Sequence, residues 1–296
     1  MAIFEGAGVA LVTPMHEDGS VNYEKLEEIL EMQIEGGTDA IISCGTTGEA
    51  STLSEKEHMD CVRFTCEKVK GRIPVIAGTG SNSTATAMQL SREAAEAGAD
   101  ALLLVTPYYN KSTQGGLKAH FGSVAKDTDL PIILYNIPGR TGVKIEAETV
   151  IDMWKEFPNI VGVKDATGDL SETVKVLSMS DGGIDVYSGN DDIVVPLMSV
   201  GGKGVISVLS NIMPRETHDM VAACFSGDYE KAGKMQLKYY ELIKARFVEV
   251  NPIPVKKAMN LMGLDVGPLR LPLTEMEDAH AAMLKKAMTD AGIKLA

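Results

Sequence analysis

The stretch PIILYNIPGRTGVKIEAETVIDMWKEFPNIVGVKDATGD, residues 131–169, decides the fold. It opens and closes on short apolar, partly β-branched runs, PIILYNIP (131–138) and IVGVKDA (160–166). Between them lie a polar turn and a longer segment with helical spacing. Strand, turn, helix and strand make one unit whose helix is the crossover that two parallel strands require. The same unit recurs on both sides. Upstream stand GVALVTP (8–14), AIISCG (40–45), PVIAGTG (74–80) and ALLLVTP (101–107); downstream stand IDVYSG (184–189) and GVISVL (204–209). The runs start roughly 20 to 34 residues apart, and a helical candidate follows each of the first seven. The first candidate, NYEKLEEILEMQIEGG (22–37), gathers Tyr23, Leu26, Ile29, Leu30 and Ile34 near one face and stops at Gly36-Gly37. Ser54 and Glu57 read as a capping box opening the second.

Eight buried-type strands alternating with helices predict an α/β protein, a (β/α)8 TIM barrel. A dinucleotide fold would want G-x-G-x-x-G after the first strand, and the turn there reads TPMHEDGS. The expected division is a catalytic barrel over 1–224 and a helical C-terminal region over 225–296. The latter holds three helical candidates, SGDYEKAGKMQLKYYELIKARF, PIPVKKAMNLMG and TEMEDAHAAMLKKAMTDAG. Its methionines, Met259, Met262, Met276, Met283 and Met288, read as core packing, with an oligomer surface as the alternative.

Composition narrows the partners. The 296 residues are 45% hydrophobic, enough for a core, and 28 Lys+Arg against 41 Asp+Glu leave a net charge of −13. That balance argues against nucleic acid or an anionic membrane, and an anionic substrate must meet a locally cationic pocket. The four cysteines, 44, 61, 66 and 224, form no CxxC pair, and the five histidines are scattered, so reduced thiols and no zinc motif are expected. The N-terminus lacks a basic region and carries Glu5 early, and no apolar run approaches a membrane span. The expectation is a soluble cytoplasmic protein.

Chemistry in this architecture sits at the C-terminal strand ends. Lys164 interrupts the apolar run of the sixth strand, where a charge is costly unless paired. Two readings stay open: a Schiff-base nucleophile with a lowered pKa, or a lysine paired structurally with a carboxylate. Strand alternation disfavours Asp165 as that partner. Tyr135 lies at the corresponding height of the neighbouring strand, where its phenol could reach the amine and move protons. A hydroxyl both donates and accepts, so Thr47 could link two phenols. The backbone of Gly45-Thr46-Thr47-Gly48 suits a carboxylate or a plain tight turn. Arg140, after Pro138-Gly139, suits a bidentate carboxylate grip or a solvated loop position. Gly201-Gly202-Lys203-Gly204 precedes its strand and reads as a turn rather than a phosphate loop.

These residues lie within motifs that run in order along nearly the whole chain: GTTGE (45–49), TPYYNK (106–111), YNIPGRTG (135–142), GVKDATGD (162–169), SGND (188–191), GGKGVIS (201–207) and NPIPVKK (251–257). Together they resemble the dihydrodipicolinate synthase/N-acetylneuraminate lyase family of class I aldolase-like barrels. The resemblance implies that Lys164 forms a Schiff base with pyruvate, with no metal and no other cofactor. It implies Tyr135 as general acid/base and a proton relay through Thr47 and Tyr109, the latter reaching in from a neighbouring subunit of a homotetramer built as a dimer of dimers. Thr46 and Thr47 would hold the pyruvate carboxylate, and Gly189 and Ile206 would line the pocket through backbone oxygens. Arg140 resembles the arginine of the synthase branch that binds the aldehyde's carboxylate. That branch condenses pyruvate with aspartate-4-semialdehyde in the diaminopimelate route to lysine. The alternatives are a pyruvate-dependent sugar-acid aldolase or lyase, and a barrel that binds a keto acid without turnover.

The regulated members of the family also resemble this chain at an effector pocket, through Ser51, His58, Asn82 and Tyr108. Glu55 and Thr86 depart from it, Thr86 standing where an acidic residue grips the effector. The expectation is weak inhibition by lysine or none.

Overall fold

A computed structural model describes residues 2–296. The eight apolar runs form β1 (Gly6–Ala10), β2 (Ala40–Ser43), β3 (Val75–Gly78), β4 (Ala101–Val105), β5 (Ile132–Asn136), β6 (Ile160–Asp165), β7 (Asp185–Ser188) and β8 (Gly204–Ser207). They close into one parallel barrel in sequence order, β8 pairing back onto β1. Around and after it run α1 (Tyr23–Glu35), α2 (Glu55–Val69), α3 (Thr84–Glu96), α4 (Gln114–Ala125), α5 (Pro138–Thr141), α6 (Ala147–Glu156), α7 (Leu170–Met179), α8 (Val194–Ser199), α9 (Pro214–Phe225), α10 (Tyr229–Ala245), α11 (Ile253–Leu261) and α12 (Asp278–Asp290). No helix among the described residues is long and apolar enough to cross a membrane.

Most strands are shorter than the apolar runs that announced them, because the last residues of those runs turn outward as loops at the barrel mouth. PGRT, expected as loop, is one helical turn: Pro138 opens it, where its missing N–H costs nothing, and Gly142 closes it at φ 73°. Side-chain caps act where the sequence offers them. Asn22 Oδ1 accepts from the Lys25 amide at 2.9 Å, and Ser54 and Glu57 form the reciprocal box. The Gly-Gly-Lys-Gly turn has a packing cause. Gly204 has φ 144°, and a Cβ there would lie 1.9 Å from the Gly6 carbonyl oxygen, so glycine lets the barrel seam close.

Inward-facing residues, among them Ile42, Ile76, Leu103, Ile133, Tyr187 and Ile206, fill the barrel. The C-terminal helices pack onto the barrel's outside rather than apart from it. Tyr239, Leu242, Val255, Met259 and Met288 share one buried cluster with Val9, Leu11 and Ile41 of the barrel. Each fully buried Leu or Met there stabilises by roughly 1.5–3 kcal/mol. Met259, Met276 and Met288 are core, whereas Met283 is exposed. The chain from α11 to α12 also crosses the barrel mouth, where the Met15 amide donates to the Val266 carbonyl at 3.0 Å.

Candidate active site

Register puts Tyr135 of β5 directly opposite Lys164 of β6, both pointing into the barrel mouth. Lys164 Nζ lies over the Tyr135 ring, 4.2 Å from its centroid. The contact is therefore with the ring face, not the hydrogen bond to the phenol that strand height suggested. Both side chains are buried, Lys164 at 5% and Tyr135 at 6% exposure. Burial pushes the amine down to about 7; the negative charge of Asp191 opposes this and the positive charge of Arg140 adds to it. An ordinary lysine is only about 0.04% neutral at pH 7, whereas a pKa near 7 leaves about half the amine ready to attack. Burial pushes the Tyr135 phenol up to about 12, with Arg140 and a hydrogen bond from Thr46 pulling the other way. It is a neutral proton donor at physiological pH.

The structural-pair reading of Lys164 finds no partner among the described residues. Asp165 faces away: Oδ1 accepts from the Thr167 amide and hydroxyl, and Oδ2 from the Thr173 hydroxyl at 2.6 Å. Asp191 is nearer but fully engaged. It accepts from Ser207 Oγ at 2.6 Å, the amides of Val208 and Leu209, and Arg246 Nη2 at 2.9 Å. Arg246 is wholly buried, and burial lowers its pKa against the opposing pull of Asp191.

The loop after β2 forms the adjacent wall. Thr46 and Thr47 both line a cavity of about 200 Å³ with Tyr135, Lys164, Arg140 and Gly189. The loop is held from below: Thr13 Oγ1 donates to the Gly48 carbonyl at 2.7 Å. Glu49, at φ 55°, accepts from the buried Lys256 amine at 2.8 Å and from the Arg270 amide at 3.1 Å. The Thr47 hydroxyl forms no hydrogen bond with Tyr135 among the described residues. Its oxygen accepts instead from Asn251 Nδ2 at 2.9 Å, and the hydroxyl beside Tyr135 is that of Thr46.

Arg140 stands at the rim, exposed, with Nη2 donating to the Asn251 carbonyl at 3.0 Å. It also borders a second lobe of about 530 Å³, which shares Thr46 and Tyr135 with the first. Ser51, Glu55, His58, Asn82, Thr86 and Tyr108 line that lobe, so the six residues of the expected effector pocket do gather. His58 is spoken for, with Nε2 2.7 Å from the Gly78 carbonyl oxygen, and burial lowers its pKa. Tyr109 sits in the left-handed region at φ 70° and is 91% exposed, so its ring lies outside its own chain's cavity. Ile206 is wholly buried in the barrel interior beneath the cavity. Among the described residues, one group could hold a metal, Glu249, Glu277 and His280, with ligand atoms within 4.8 Å of one another; it lies outside the Lys164 cavity.

This arrangement matches a known family. Residues 3–291 fit the dihydrodipicolinate synthetase family. The chain belongs to that family. It is 57% identical over 293 residues to the 4-hydroxy-tetrahydrodipicolinate synthase of Lachnoclostridium phytofermentans, covering 99% of this chain and 100% of that one. Two solved structures superpose closely. The chloride-inhibited dihydrodipicolinate synthase of Acinetobacter baumannii, complexed with pyruvate, is 46% identical with TM-score 0.96, over 98% of this chain and 99% of that one. The enzyme of Cyanidioschyzon merolae with lysine bound is 41% identical with TM-score 0.97, over 99% and 100%. Like these members of the dihydrodipicolinate synthetase family, the chain is an enzyme, a lyase.

Sequence reasoning passed over Asn251, Arg246 and the Glu49–Lys256 pair. A signal for the last was present: Lys256 interrupts the apolar PIPVKKAM as Lys164 interrupts its strand. Asn251 carried none, since its role depends on where the C-terminal region folds back.

Proposed function

We propose that the cavity condenses pyruvate with L-aspartate-4-semialdehyde, the 4-hydroxy-tetrahydrodipicolinate synthase reaction of lysine biosynthesis. One observation carries the reading: a buried amine with a pKa near 7, in register with a neutral phenol, at the mouth of a parallel barrel. Neutral Lys164 attacks the ketone carbon of pyruvate, and loss of water leaves the Schiff base. Tyr135 protonates the departing oxygen and is reprotonated through neighbouring hydroxyls. The pyruvate carboxylate rests on the amides and hydroxyls of Thr46 and Thr47. A methyl proton passes to the hydroxyl chain through Tyr135 to give the enamine, whose carbon attacks the aldehyde carbon while the aldehyde oxygen takes a proton back from the same chain. Arg140 at the rim grips the aldehyde's carboxylate, and the substrate's own amine then displaces Lys164 and closes the ring. No metal or separate cofactor takes part, because the protonated imine is the electron sink.

Within this reading the enzyme works in the cytoplasm as a homotetramer of two tight dimers. The outward Tyr109 completes the neighbour's site, and Ser51, His58, Asn82 and Tyr108 line an effector lobe. The test is borohydride reduction in the presence of pyruvate, followed by peptide mapping. A reduced adduct on Lys164 is expected; an adduct elsewhere, or none, overturns the proposal. A coupled assay with a panel of aldehydes should single out aspartate semialdehyde over sugar aldehydes.

A further inference from the structure

We propose that Arg246 is a positioning residue that holds Asp191 as its own counter-ion and so keeps that carboxylate from pairing with Lys164. This rests on the reading of Lys164 as the amine that attacks pyruvate. The observation begins on α10. Gln236, Ile243 and Arg246 follow one another at helical spacing along its buried face. Both polar members of that stripe are spent on Asp191. Gln236 Nε2 donates to the Asp191 backbone carbonyl at 2.8 Å, and Arg246 Nη2 donates to the carboxylate at 2.9 Å. Arg246 stands at the C-terminus of α10, where the helix dipole favours a cation.

Such a pair is a poor device for stability alone, since apolar residues of similar volume often serve as well. Arg246 Nε and Nη1 are buried and meet no acceptor among the described residues, so Asp191 carries its compensation. Asp191 and Lys164 line the same cavity, and the charge of the carboxylate reaches the amine and opposes the effect of burial. The other titratable groups lining that cavity are Tyr135, which is neutral, the cation Arg140, and Asp192 and Lys244, which are exposed and screened by water. Asp165, next to Lys164 on β6, faces away onto Thr167 and Thr173. Asp191 is therefore the one buried anion among the described residues of this wall that could become the counter-ion of Lys164. Without the guanidinium, Ser207 Oγ and the amides of Val208 and Leu209 would still keep it ionised. Its charge would no longer be offset, however, and the cation left to answer it would be a protonated Lys164.

The test reads the protonation of Lys164 without substrate, by acetic anhydride labelling across a range of pH followed by peptide mapping. In the wild type the labelling midpoint should lie at about 7. Arg246→Met should raise it by about one unit or more. At pH 7 that leaves roughly a tenth of the amine neutral instead of half, so kcat/KM for pyruvate should fall about five-fold. The loss should shrink as pH rises past the new midpoint, whereas a merely structural defect would lower the rate at every pH alike. Arg246→Lys keeps a cation at this place and should recover most of the shift. Asp191→Asn combined with Arg246→Met removes both partners, and its midpoint should return to the wild-type value or below. Should Arg246→Met fail to fold by circular dichroism, Arg246→Gln carries the same comparison, because its amide keeps a donor for Asp191 without the charge.

An unchanged midpoint in folded Arg246→Met or Arg246→Gln overturns the proposal. So does a midpoint that stays raised in the double variant, which would mean that the shift does not come through Asp191. A pH-independent loss of kcat/KM with no shift in labelling also overturns it, leaving Arg246 a structural residue. Failure of the wild-type enzyme to trap pyruvate on Lys164 with borohydride would instead strike the underlying reading, while the labelling midpoints would still report on Arg246, so the two failures are told apart.

Discussion

The two halves of the cavity wall are built differently. Lys164 and Tyr135 stand on adjacent strands, locked in register and buried among barrel residues. Thr47, Asn251 and Arg140 stand on loops, a strap and a single helical turn, held by hydrogen bonds that span much of the chain. On the proposed reading the strand half sets the reactivity of the amine, because burial is what lowers its pKa. On the same reading the loop half sets which molecule is held, and it can be changed without dismantling the barrel. Substitutions in the strand half should therefore abolish chemistry, while those in the loop half should divide it into separable steps.

The sharpest way to break this contrast is Lys164→Arg. It keeps the charge but stays protonated, so turnover should fall roughly a thousand-fold or more and borohydride trapping should vanish. The wild-type pH profile extends the point. Only the neutral amine attacks, so kcat/KM for pyruvate should fall as pH drops through the amine's pKa of about 7 and level off above it. A limb near pH 10 would show that the pocket does not desolvate Lys164.

Next in size comes the tie beneath the loop half. Lys256→Met leaves Glu49 buried without its cation, which should cost about 3–5 kcal/mol of stability by chemical denaturation. A loss under about 1 kcal/mol would mean that water enters this pair. Arg140→Ala should spare pyruvate trapping yet lower kcat/KM for the aldehyde by about 2–3 kcal/mol. Equal loss of both would mean that Arg140 shapes the whole rim through the Asn251 carbonyl.

The same division governs what could be read from the chain. Strands are local: an apolar run shows its own period, and a lysine inside it is conspicuous. That made the barrel legible, along with the pairing of Lys164 with Tyr135 across β5 and β6. The capping box at Ser54 and Glu57 was legible for the same reason. The link between Thr47 and Asn251 was not, because it depends on the path of the C-terminal region over the barrel mouth. Arg246 was hidden likewise: its meaning comes from Asp191 on another element. The outward ring of Tyr109 marks a further limit, since a group that would serve a second chain, as proposed, shows in one chain only as exposure. Mixing Lys164→Ala with Tyr109→Phe under subunit exchange should restore part of the lost activity, because one site per mixed pair would be intact. Verified heterodimers with no recovery would make each site self-contained.

The smallest effect expected is inhibition by lysine, and it concerns the most open part of the loop half. The second lobe gathers Ser51, Glu55, His58, Asn82, Thr86 and Tyr108, but its charges are poorly set for an amino acid. An ammonium group wants an anionic partner, and Thr86 offers a neutral hydrogen bond roughly half as strong. Glu55 is anionic but exposed, where water screens it. His58 is held by the Gly78 carbonyl and kept neutral by burial, so it adds no charge for the carboxylate end. A lysine titration at sub-saturating pyruvate should therefore show weak inhibition or none. Thr86 lies in the first turn of α3, where the helix N-terminus favours negative charge, so Thr86→Glu should fold normally. It should also strengthen inhibition by lysine. Full inhibition of the wild-type enzyme at submillimolar lysine, with little change on Thr86→Glu, would show instead that Glu55 alone supplies the anionic contact.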